Sequence, residues 1–546
     1  MKASDLFIEC LENEGVKHIF GMPGEETISI MGSLIDSKIE FLLTRHEQAA
    51  AFMADIHGRL TGKAGVCLST LGPGATNLIT GVANANLDKS PIVAITAQAG
   101  RERMHKESHQ YIDLVKMFHP VTKWNISIRS AQSIPELVRK SFRIAEMEKP
   151  GSVHIEVPED VADSALDHEA PLPVKSAPVY HPDKSELERA AEEIRKAEHP
   201  MILAGNGVIR ANASKELIAF AEANNIPVVN TFMSKGVIPH DNELSLFTIG
   251  LQVKDYALCT FDKADVVIAV GYDFVEYSPY KWNPHKDKKI IHIDSRRSEV
   301  DSFYSPGVEL IGDIKLSLGK LMGETGFDKK YEYASRIRKL LLEEFSLETS
   351  AHGMPVKPQR IIKGIREALG KEDIVVSDVG MHKLWVARFF PTYTPNTVLI
   401  SNGLASMGFG LPGGIAAKLA KPDKKVVVVT GDGGFMMNSQ EIETAKRFGT
   451  DLTIVLFRDG KLGSIEMKQK QRQLKKEIGI VFGNPDFVKY AESFGANGFR
   501  IEKADETEDV IKEAVRTKGV NLVEIPVDYS ENHKLISRLG TLSCPI

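Results

Sequence analysis

The chain has 546 residues and a mass of 60.2 kDa, enough for three or four domains by the usual relation between length and domain number. Hydrophobic residues make up 42% and charged residues 26%, which is ordinary for globular proteins and excludes intrinsic disorder or a collagen-like repeat. The net charge of −5, from 68 basic and 73 acidic residues that are interspersed, offers no basic surface for nucleic acid or membrane. These values favour a small molecule as the partner.

The four cysteines, Cys10, Cys67, Cys259 and Cys544, lie far apart and form no C-x-x-C pair. Their spacing predicts neither a disulfide framework nor a zinc site, and it fits a reducing compartment. The first residues include acids where a signal peptide needs an apolar core, and no apolar run approaches the ~18 residues of a membrane helix. We therefore expect a soluble, cytoplasmic protein without membrane contact.

Short β-branched runs alternate with longer amphipathic stretches along the chain, which is typical of parallel α/β units. The first block, 1–165, contains the predicted strands HIFG, EFLLTRHE, GVCLSTLG, PIVAITAQ and VHIEVPED. A linker at 160–182 leads to a second block, 185–330, with PMILAGNG, IPVVNTF, ADVVIAVG and KIIHID. A helical connector at 329–348 and the polar hinge SAHGMPVKP lead to a third block, 355–530, with DIVVSDVG, VLISNG, KVVVVTGDG, LTIVLFRDG and NLVEIPVD. The predicted fold class is α/β, with three doubly wound parallel-sheet domains.

The first and third blocks share local patterns. Each ends in a strand followed by proline and an acid, VHIEVPED and NLVEIPVD. Each also has a Gly/Pro-rich turn that enters an Ala-rich helix, LGPGATNLITGVANA and GFGLPGGIAAKLA. We expect two related domains that flank a different central one.

Two aspartates follow neighbouring strands of the third block. The apolar strand in KKVVVVTGDGGF ends next to Asp432, and after a helix the strand LTIVLF ends near Asp459. A helix of this size spans ~16 Å and the second strand returns ~20 Å, so a right-handed crossover places both carboxylates at one sheet edge. Mg²⁺ is commonly held by carboxylates and phosphates, and glycine N–H groups bind anions. We predict a Mg²⁺–diphosphate site, the open alternative being an ordinary turn with capping aspartates.

The segment GDGGF through RDGKLG resembles the thiamine-diphosphate motif, in which GDG is followed along the chain by an Asn or Asp ligand. This resemblance implies that Asp432, Asp459 and the backbone carbonyl of Lys461 bind the metal. The usual Asn-Asn ending is replaced here by Arg458-Asp459, a change that keeps an oxygen ligand and that catabolic acetolactate synthases share.

The first block carries a second signature, TRHEQAAAFMADIHGR, which resembles the family's RHExxAAxMAxxxGR. Its glutamate, Glu47, stands where an apolar strand passes into an Ala-rich helix. The resemblance implies that this carboxylate shares a proton with N1′ of the aminopyrimidine and thereby promotes ionisation at C2 of the cofactor. Taken alone, a glutamate at a helix start is more often a residue that complements the helix dipole.

Further matches extend over nearly the whole chain: FGMPGE, GPGATN, DVGMHKLW and SNGLASMG resemble the family's turns around the pyrimidine and the diphosphate. They imply that His382 touches the diphosphate, that the backbone of Ala405 meets the 4′-amino group, and that Met407 lies under the ring junction. Met407 could equally pack in a core. The cofactor-binding residues implied by the resemblance are Pro23, Gly24, Glu47, Asn77, Val379, His382, Ala405, Met407, Asp432, Gly433, Gly434, Asp459, Leu462 and Gly463.

The order of the blocks resembles the acetohydroxyacid synthase, pyruvate oxidase and pyruvate decarboxylase group. Decarboxylases of this group use adjacent histidines, whereas none of the 16 histidines here adjoins another, which favours carboligation. Gln110 resembles the active-site glutamine of acetolactate-forming enzymes, so Glu47 and Gln110 are the implied catalytic residues; alone, Gln110 reads as a solvated loop residue. The segment GYDFVEYSPYKWN lacks the FDDR stretch of FAD-containing synthases and places Tyr277 where that stretch has its arginine, so FAD is not expected.

The chain thus resembles the acetolactate synthase family, most closely its FAD-independent catabolic type. The resemblance implies condensation of two pyruvate molecules to 2-acetolactate with loss of CO₂, in a homodimer or homotetramer whose cofactor lies between subunits. One alternative is another thiamine-diphosphate enzyme: a 2-hydroxyacyl-CoA lyase, an aldehyde carboligase or a 2-oxoacid decarboxylase. Another is an FAD or NAD oxidoreductase, suggested by Gly205-x-Gly207 and Gly408-x-Gly410-x-x-Gly413, although neither has a convincing ribose-binding acid downstream.

Overall fold

The computed structural model of the chain describes residues 1–167, 169–176, 178–251, 255–325, 332–346, 353–532, 535 and 544. The connector predicted at 329–348 and the start of the hinge after it therefore lie partly outside the described residues. Within the described ranges, every helix is too short or too polar to cross a bilayer. Three parallel sheets organise the chain, and the part built on each is called the first, second and third domain.

The first sheet has six parallel strands in the order β2-β1-β3-β4-β6-β5. Alternate residues of its strands enter two different apolar clusters, which shows that helices cover both faces. The strands are β1 His18–Met22, β2 Glu40–Leu43, β3 Gly65–Ser69, β4 Ile92–Gln98, β5 Trp124–Ser127 and β6 Ser152–Pro158. The helices are α1 Ala3–Asn13, α2 Ile28–Leu34, α3 Glu47–Thr61, α4 Pro73–Leu87, α5 Leu114–Phe118, α6 Ile134–Glu146 and α7 Glu159–Ala162.

The second sheet has the order β12-β11-β10-β7-β8-β9, which is the order of a dinucleotide-binding fold. Its strands are β7 Pro200–Ala204, β8 Val228–Asn230, β9 Ser245–Thr248, β10 Val266–Val270, β11 Lys289–Asp294 and β12 Val308–Ile311. Its helices are α8 Lys184–Lys196, α9 Asn206–Arg210, α10 Ser214–Asn224, α11 Tyr256–Lys263, α12 Ile314–Thr325 and α13 Glu332–Ser346.

The third sheet has the order β14-β13-β15-β16-β18-β17, which repeats the order of the first sheet position by position. Its strands are β13 Ile374–Ser377, β14 Val398–Ile400, β15 Val426–Gly431, β16 Leu452–Arg458, β17 Asn497–Arg500 and β18 Val520–Pro526. Its helices are α14 Pro358–Ala368, α15 Met381–Phe389, α16 Gly410–Ala420, α17 Asp432–Asn438, α18 Glu441–Arg447, α19 Gly463–Gln471, α20 Phe487–Ser493 and α21 Thr507–Arg516.

The α/β fold class is confirmed, and so is the similarity of the first and third blocks, whose sheets have the same strand order. Four strands were not predicted: β5, β9, β12 and β17, and each lies at the edge of its sheet. The residues of β5 are half-buried and those of β17 are half-buried or exposed, so neither forms the continuous apolar run by which a central parallel strand is recognised.

The first and third domains share one apolar core, in which α3 packs against α16. Both helices are rich in alanine and glycine, and small side chains let their backbones approach closely. The rings of Phe52 and Phe409 meet edge to face with centroids 5.6 Å apart, and the guanidinium of Arg59 lies 5.3 Å from the Phe409 ring centroid. This packing fixes α3, the helix that begins with Glu47, against the third domain.

The prediction against disulfides is wrong for one pair of cysteines. Cys259 of α11 and Cys544 near the C-terminus form a disulfide, whereas Cys10 and Cys67 are buried thiols. The two bonded residues are 285 positions apart, so their spacing in the sequence carried no signal of the contact. The inference of a reducing compartment from unpaired cysteines therefore loses its basis.

Candidate active site

The two predicted metal ligands lie together at the carboxyl edge of the third sheet. Strand β15 ends at Gly431, which pairs with Phe457 of β16, so Asp432 and Asp459 follow neighbouring strand ends. The backbone N–H groups of Asp459 and Gly460 donate to Oδ2 of Asp432 at 3.1 and 2.7 Å. The structure thus brings the two carboxylates to one edge, as the strand and helix lengths predict.

The carboxylate of Asp432 is buried and its two oxygens are used unequally. Besides the two backbone donors, Oδ2 accepts from Nδ2 of Asn484 at 2.8 Å, while Oδ1 accepts from the adjacent N–H of Gly433 at 2.9 Å. Burial, followed by repulsion from Asp432, raises the pKa of Asp459 to about 7. Two acids held this close suit a divalent cation, and Oδ1 of Asp432 keeps the lone pair to bind one.

The turn after β15 fits a phosphate group beside that cation. A Cβ on Gly433 would lie 3.2 Å from the ring of Phe482, closer than an ordinary contact, so glycine keeps this approach open. His382 lies against Gly431, is only 2% exposed, and has no partner among the described residues for its buried Nε2. Burial lowers the pKa of His382 to about 3. An orphaned ring nitrogen at this position fits an outside ligand.

A cavity of about 1250 Å³ opens at the same edge and is lined by Asp459, Lys461 and Gly463, among others. The turn below it is organised by Asp378, which the sequence analysis did not single out. Its buried carboxylate accepts from the N–H groups of Val379, Gly408 and Gly410 at 2.6 to 3.2 Å. Asp378 therefore ties the DVG turn to the loop that carries Met407.

Glu47 is the first residue of α3 and is 6% exposed. Its Oε2 accepts from Nδ2 of Asn77 at 2.9 Å, and a Cβ on Gly74 would lie 3.2 Å from its Oε1. His46, not Glu47, caps α3, because its Nδ1 accepts from the N–H of Gln48 at 3.1 Å. A buried carboxylate whose hydrogen bond comes from another helix differs from the dipole-complementing surface residue of the simpler interpretation.

The other predicted residues of the first domain gather around Glu47's sheet edge. Gly24 contacts Thr70 after β3, and Gln110 packs against Gly72 in the GPG turn. Gln110 has a φ of +58° and Ala405 one of +55°, and such left-handed backbone at a non-glycine residue is typical of functional turns. Gln110 is exposed, as a solvated loop residue would be, but the turn it packs against is the predicted pyrimidine turn.

The predicted residues therefore form two groups on two sheets. The first-sheet group is Pro23, Gly24, Glu47, Asn77 and Gln110; the third-sheet group is Val379, His382, Ala405, Met407, Asp432, Gly433, Gly434, Asp459, Lys461, Leu462 and Gly463. The residues on either side of the His46-Glu47 pair bond to the third domain: Gln48 accepts from Asn438 at 3.0 Å, and the N–H of Arg45 donates to Glu441. Within one chain, the described hydrogen bond of Glu47, with Asn77, stays inside its own group.

The glycine pair of the second domain binds a carboxyl group of the protein itself. The N–H of Asn206, between Gly205 and Gly207, donates to both carboxylate oxygens of Glu276 at 3.0 and 3.1 Å, and the hydroxyl of Thr231 also donates to Glu276. Burial, followed by repulsion from Asp273, raises the pKa of Glu276 to about 8. A side chain of the protein thus takes the N–H that a dinucleotide phosphate would use.

Comparison with known proteins agrees with this geometry. Family models of the thiamine pyrophosphate enzymes match the chain three times: the N-terminal TPP binding domain over residues 1–117, the central domain over 187–321 and the C-terminal TPP binding domain over 378–525.

Several relatives that match nearly the whole chain are named acetolactate synthase. The chain is 38% identical to the probable acetolactate synthase large subunit of Methanocaldococcus jannaschii, with 100% of this chain and 95% of the relative covered. It is 35% identical to the acetolactate synthase of Bacillus subtilis, covering 98% and 95%, and 34% identical to the catabolic acetolactate synthase of Raoultella terrigena, covering 98% and 97%. The chain therefore belongs to the thiamine pyrophosphate enzymes and, among them, to the acetolactate synthase large-subunit family.

Proposed function

We propose that this protein condenses two pyruvate molecules to 2-acetolactate with release of CO₂, using thiamine diphosphate and Mg²⁺. The observation that carries the proposal is the pairing of Asp432 and Asp459 at adjacent strand ends, beside Nε2 of His382, which has no partner among the described residues. Relatives named acetolactate synthase that cover nearly the whole chain supply the reaction.

The third-sheet group would hold the metal and the diphosphate. Asp432, Asp459 and the carbonyl of Lys461 bind Mg²⁺, while His382 and the N–H groups of the glycine turn bind the phosphate oxygens. When bound, thiamine diphosphate supplies the electron sink that makes loss of CO₂ from a 2-oxoacid feasible. The remaining residues of this group with a diphosphate contact are Val379, Gly433, Gly434, Leu462 and Gly463.

The first-sheet group would hold the pyrimidine. Glu47 keeps a proton at N1′ of the ring, and Asn77 fixes the orientation of its carboxylate through the 2.9 Å hydrogen bond. Ala405 would offer its backbone to the 4′-amino group, and Met407 would pack against the cofactor. Pro23 and Gly24 line the same ring, and Gln110 meets the substrate, pyruvate.

A second copy of the chain would complete the site, as a homodimer or homotetramer. The two groups lie on separate sheets, and the helix that begins with Asp432 exposes Met436 and Met437 by 41% and 52%. Neighbouring exposed methionines next to a buried metal site suit coverage by another subunit. We divide each copy into domains at 1–165, 185–330 and 355–530.

FAD is not part of the proposed enzyme. Glu276 already accepts the N–H of Asn206, so this N–H is not available to a phosphate of a flavin dinucleotide. The experiment for this point is the visible spectrum of the purified protein, which should show no flavin absorption.

Product analysis with pyruvate as the only substrate tests the proposed reaction. We expect 2-acetolactate, detected as acetoin after decarboxylation in acid, only when thiamine diphosphate and Mg²⁺ are both present. Acetaldehyde as the main product would indicate a 2-oxoacid decarboxylase instead. Turnover that survives complete removal of the cofactor would contradict the proposal altogether.

A further inference from the structure

The loop from Ser401 to Met407, called here the 401–407 loop, belongs to the third domain but is held by the first. Asp88, the C-cap of α4, is 1% exposed. Its carboxylate accepts from the N–H of Asn402 at 3.2 Å and from the N–H of Gly403. A buried carboxylate that binds two consecutive backbone amides across a domain boundary fixes both the position and the direction of that backbone.

Asp88 does not stand alone at this boundary. Oδ2 of Asp88 accepts from Nη2 of Arg59 at 2.6 Å, and the same guanidinium donates to Asp55 at 2.7 Å and to the carbonyl of Ile400 at 2.8 Å. Arg59 thus bonds to the residue that immediately precedes the loop. The buried charge of Asp88 is compensated by a buried cation, which is the condition for an ion pair to persist in an interior.

Further hydrogen bonds hold Ser401, the first residue of the loop. Nζ of Lys383, a buried residue of α15, donates to the carbonyl of Ser401 at 2.7 Å. The hydroxyl of Ser401 donates to Oδ1 of Asn84 at 2.6 Å and accepts from the N–H of Ser406 at 3.1 Å. The loop is therefore closed on itself and fastened to α4 of the first domain.

The loop needs such support because its backbone is strained. Ala405 has a φ of +55°, a conformation that costs free energy at any residue with a Cβ and persists only where the surroundings impose it. Ala405 stands two positions after Gly403, whose N–H Asp88 binds. Releasing that amide would let Ala405 relax toward ordinary backbone and move Met407 with it.

We infer that Asp88 is a positioning residue for the pyrimidine of the cofactor, acting through the backbone of the 401–407 loop on Ala405 and Met407. The inference rests on the proposed function, since it assigns those two residues to the cofactor. Its physical content is that a first-domain carboxylate sets the geometry of a third-domain binding loop in the same chain.

The test compares Asp88→Asn with Asp55→Asn in the full-length protein. Asp55 is an equally buried partner of Arg59 and Asn84, but its described hydrogen bonds do not reach the loop. Two measurements are made: hydrogen–deuterium exchange of peptides covering 401–407 in the cofactor-free protein, and the Kd of thiamine diphosphate with Mg²⁺ by titration calorimetry.

We expect Asp88→Asn to speed exchange in the loop and to weaken thiamine diphosphate binding about tenfold or more. Asp55→Asn should lower the Tm comparably, yet leave loop exchange and cofactor Kd within about twofold of the wild type. Wild-type exchange and affinity in Asp88→Asn would overturn the inference. Equal losses in both variants would also overturn it, because they would show a general loosening of the boundary.

Failure of the proposed function gives a different pattern. A wild-type protein that binds no thiamine diphosphate refutes that function, while exchange in the cofactor-free protein still decides whether Asp88 holds the loop. If Asp88→Asn does not fold, hydrogen–deuterium exchange in the wild-type protein tests whether Asp88 holds the loop. Protected amides at 402 and 403 then support the contact, and exchange at the rate of an exposed loop overturns it.

Discussion

The first and third sheets have the same strand order, yet their carboxyl edges carry different chemistry. In the third sheet, the residues after the third and fourth strands are Asp432 and Asp459. In the first sheet, the residues after the equivalent strands β3 and β4 are Thr70 and Ala99, which are uncharged. The proposed metal site therefore lies at one edge and has no counterpart at the equivalent positions of the other, so residue identity, and not topology alone, determines the chemistry of each edge.

The reverse comparison holds after the second strand. In the first sheet, the chain passes from β2 into α3, whose first residue is Glu47. In the third sheet, the equivalent passage from β14 to α16 contains the 401–407 loop with Ala405 and Met407. Each sheet therefore contributes what the other lacks, and the equivalent helices α3 and α16 pack on each other in one core.

Replacing Asp432 by alanine should have the largest effect, because it removes the more buried of the two carboxylates that distinguish the third sheet from the first. Without it, Asp459 alone binds Mg²⁺ poorly, and kcat/KM for acetolactate formation should fall about 10⁴-fold. The measurement is the initial rate at saturating Mg²⁺. Asp459→Asn is the matched control: it keeps an oxygen ligand and should stay within about tenfold of the wild type. Normal Mg²⁺-dependent turnover in Asp432→Ala would contradict the assignment of the edge.

Replacing Glu47 by glutamine tests the contribution of the first sheet. The amide cannot exchange a proton with the pyrimidine, so deuterium exchange at C2 of bound thiamine diphosphate should slow about 10²- to 10³-fold. Cofactor Kd should change less than about threefold, because the side chain keeps its shape and the Asn77 contact can persist. The measurement is exchange followed by NMR after acid quench.

Glu26→Gln is the control for that experiment, since Glu26 is another buried glutamate of the first domain and accepts from the hydroxyl of Thr70 at 2.8 Å. Its substitution should leave C2 exchange within about twofold of the wild-type rate. An unchanged exchange rate in Glu47→Gln would remove this residue from the proposed mechanism.

Sequence reasoning reached the fold class and the two acid positions because both depend on local patterns. Apolar runs mark central strands, and the lengths between Asp432 and Asp459 fix their meeting at one edge. The edge strands β5 and β17 escaped this reasoning, because half-buried strands resemble loops in composition. The local patterns that the first and third blocks share in sequence already indicate that their two sheets are similar.

The residues that sequence reasoning missed act through contacts between distant segments. Asp88 and Asn484 each bind a segment more than 50 positions away, and no spacing rule connects them to the loop or to Asp432. The disulfide of Cys259 and Cys544 was missed for the same reason. Asp378 is the first residue of the DVGMHKLW motif, but its role as an acceptor for several backbone N–H groups follows only from the three-dimensional positions of those groups.

Asn484 gives a smaller effect at the third sheet's edge. Its Nδ2 donates to Oδ2 of Asp432 and its Oδ1 is buried without a described partner. Residues that orient a metal ligand typically contribute 10- to 100-fold in affinity, so Asn484→Ala should weaken Mg²⁺ binding by about tenfold. Titration of turnover with Mg²⁺ measures this. The control is Asp486→Ala, which removes the N-cap of α20 and should lower the Tm without changing the Mg²⁺ requirement. An unaltered Mg²⁺ requirement in Asn484→Ala would exclude Asn484 from the site.

Glu441 should give the smallest effect, at the boundary where the two related domains meet. Its carboxylate accepts from the N–H of Arg45, and burial raises its pKa from 4.5 to about 7. Because the folded-state pKa is the higher one, the unfolded chain loses this proton first, and stability falls as pH rises between these values. Glu441→Gln should therefore raise the free energy of unfolding by about 1–3 kcal/mol at pH 8 and little at pH 4.5. Glu443→Gln, on the same helix but paired with Arg447, should show no such gain in stability. The measurement is the free energy of unfolding by denaturant at both pH values. An equal gain for Glu441→Gln at both pH values would mean that titration of Glu441 does not weaken this boundary.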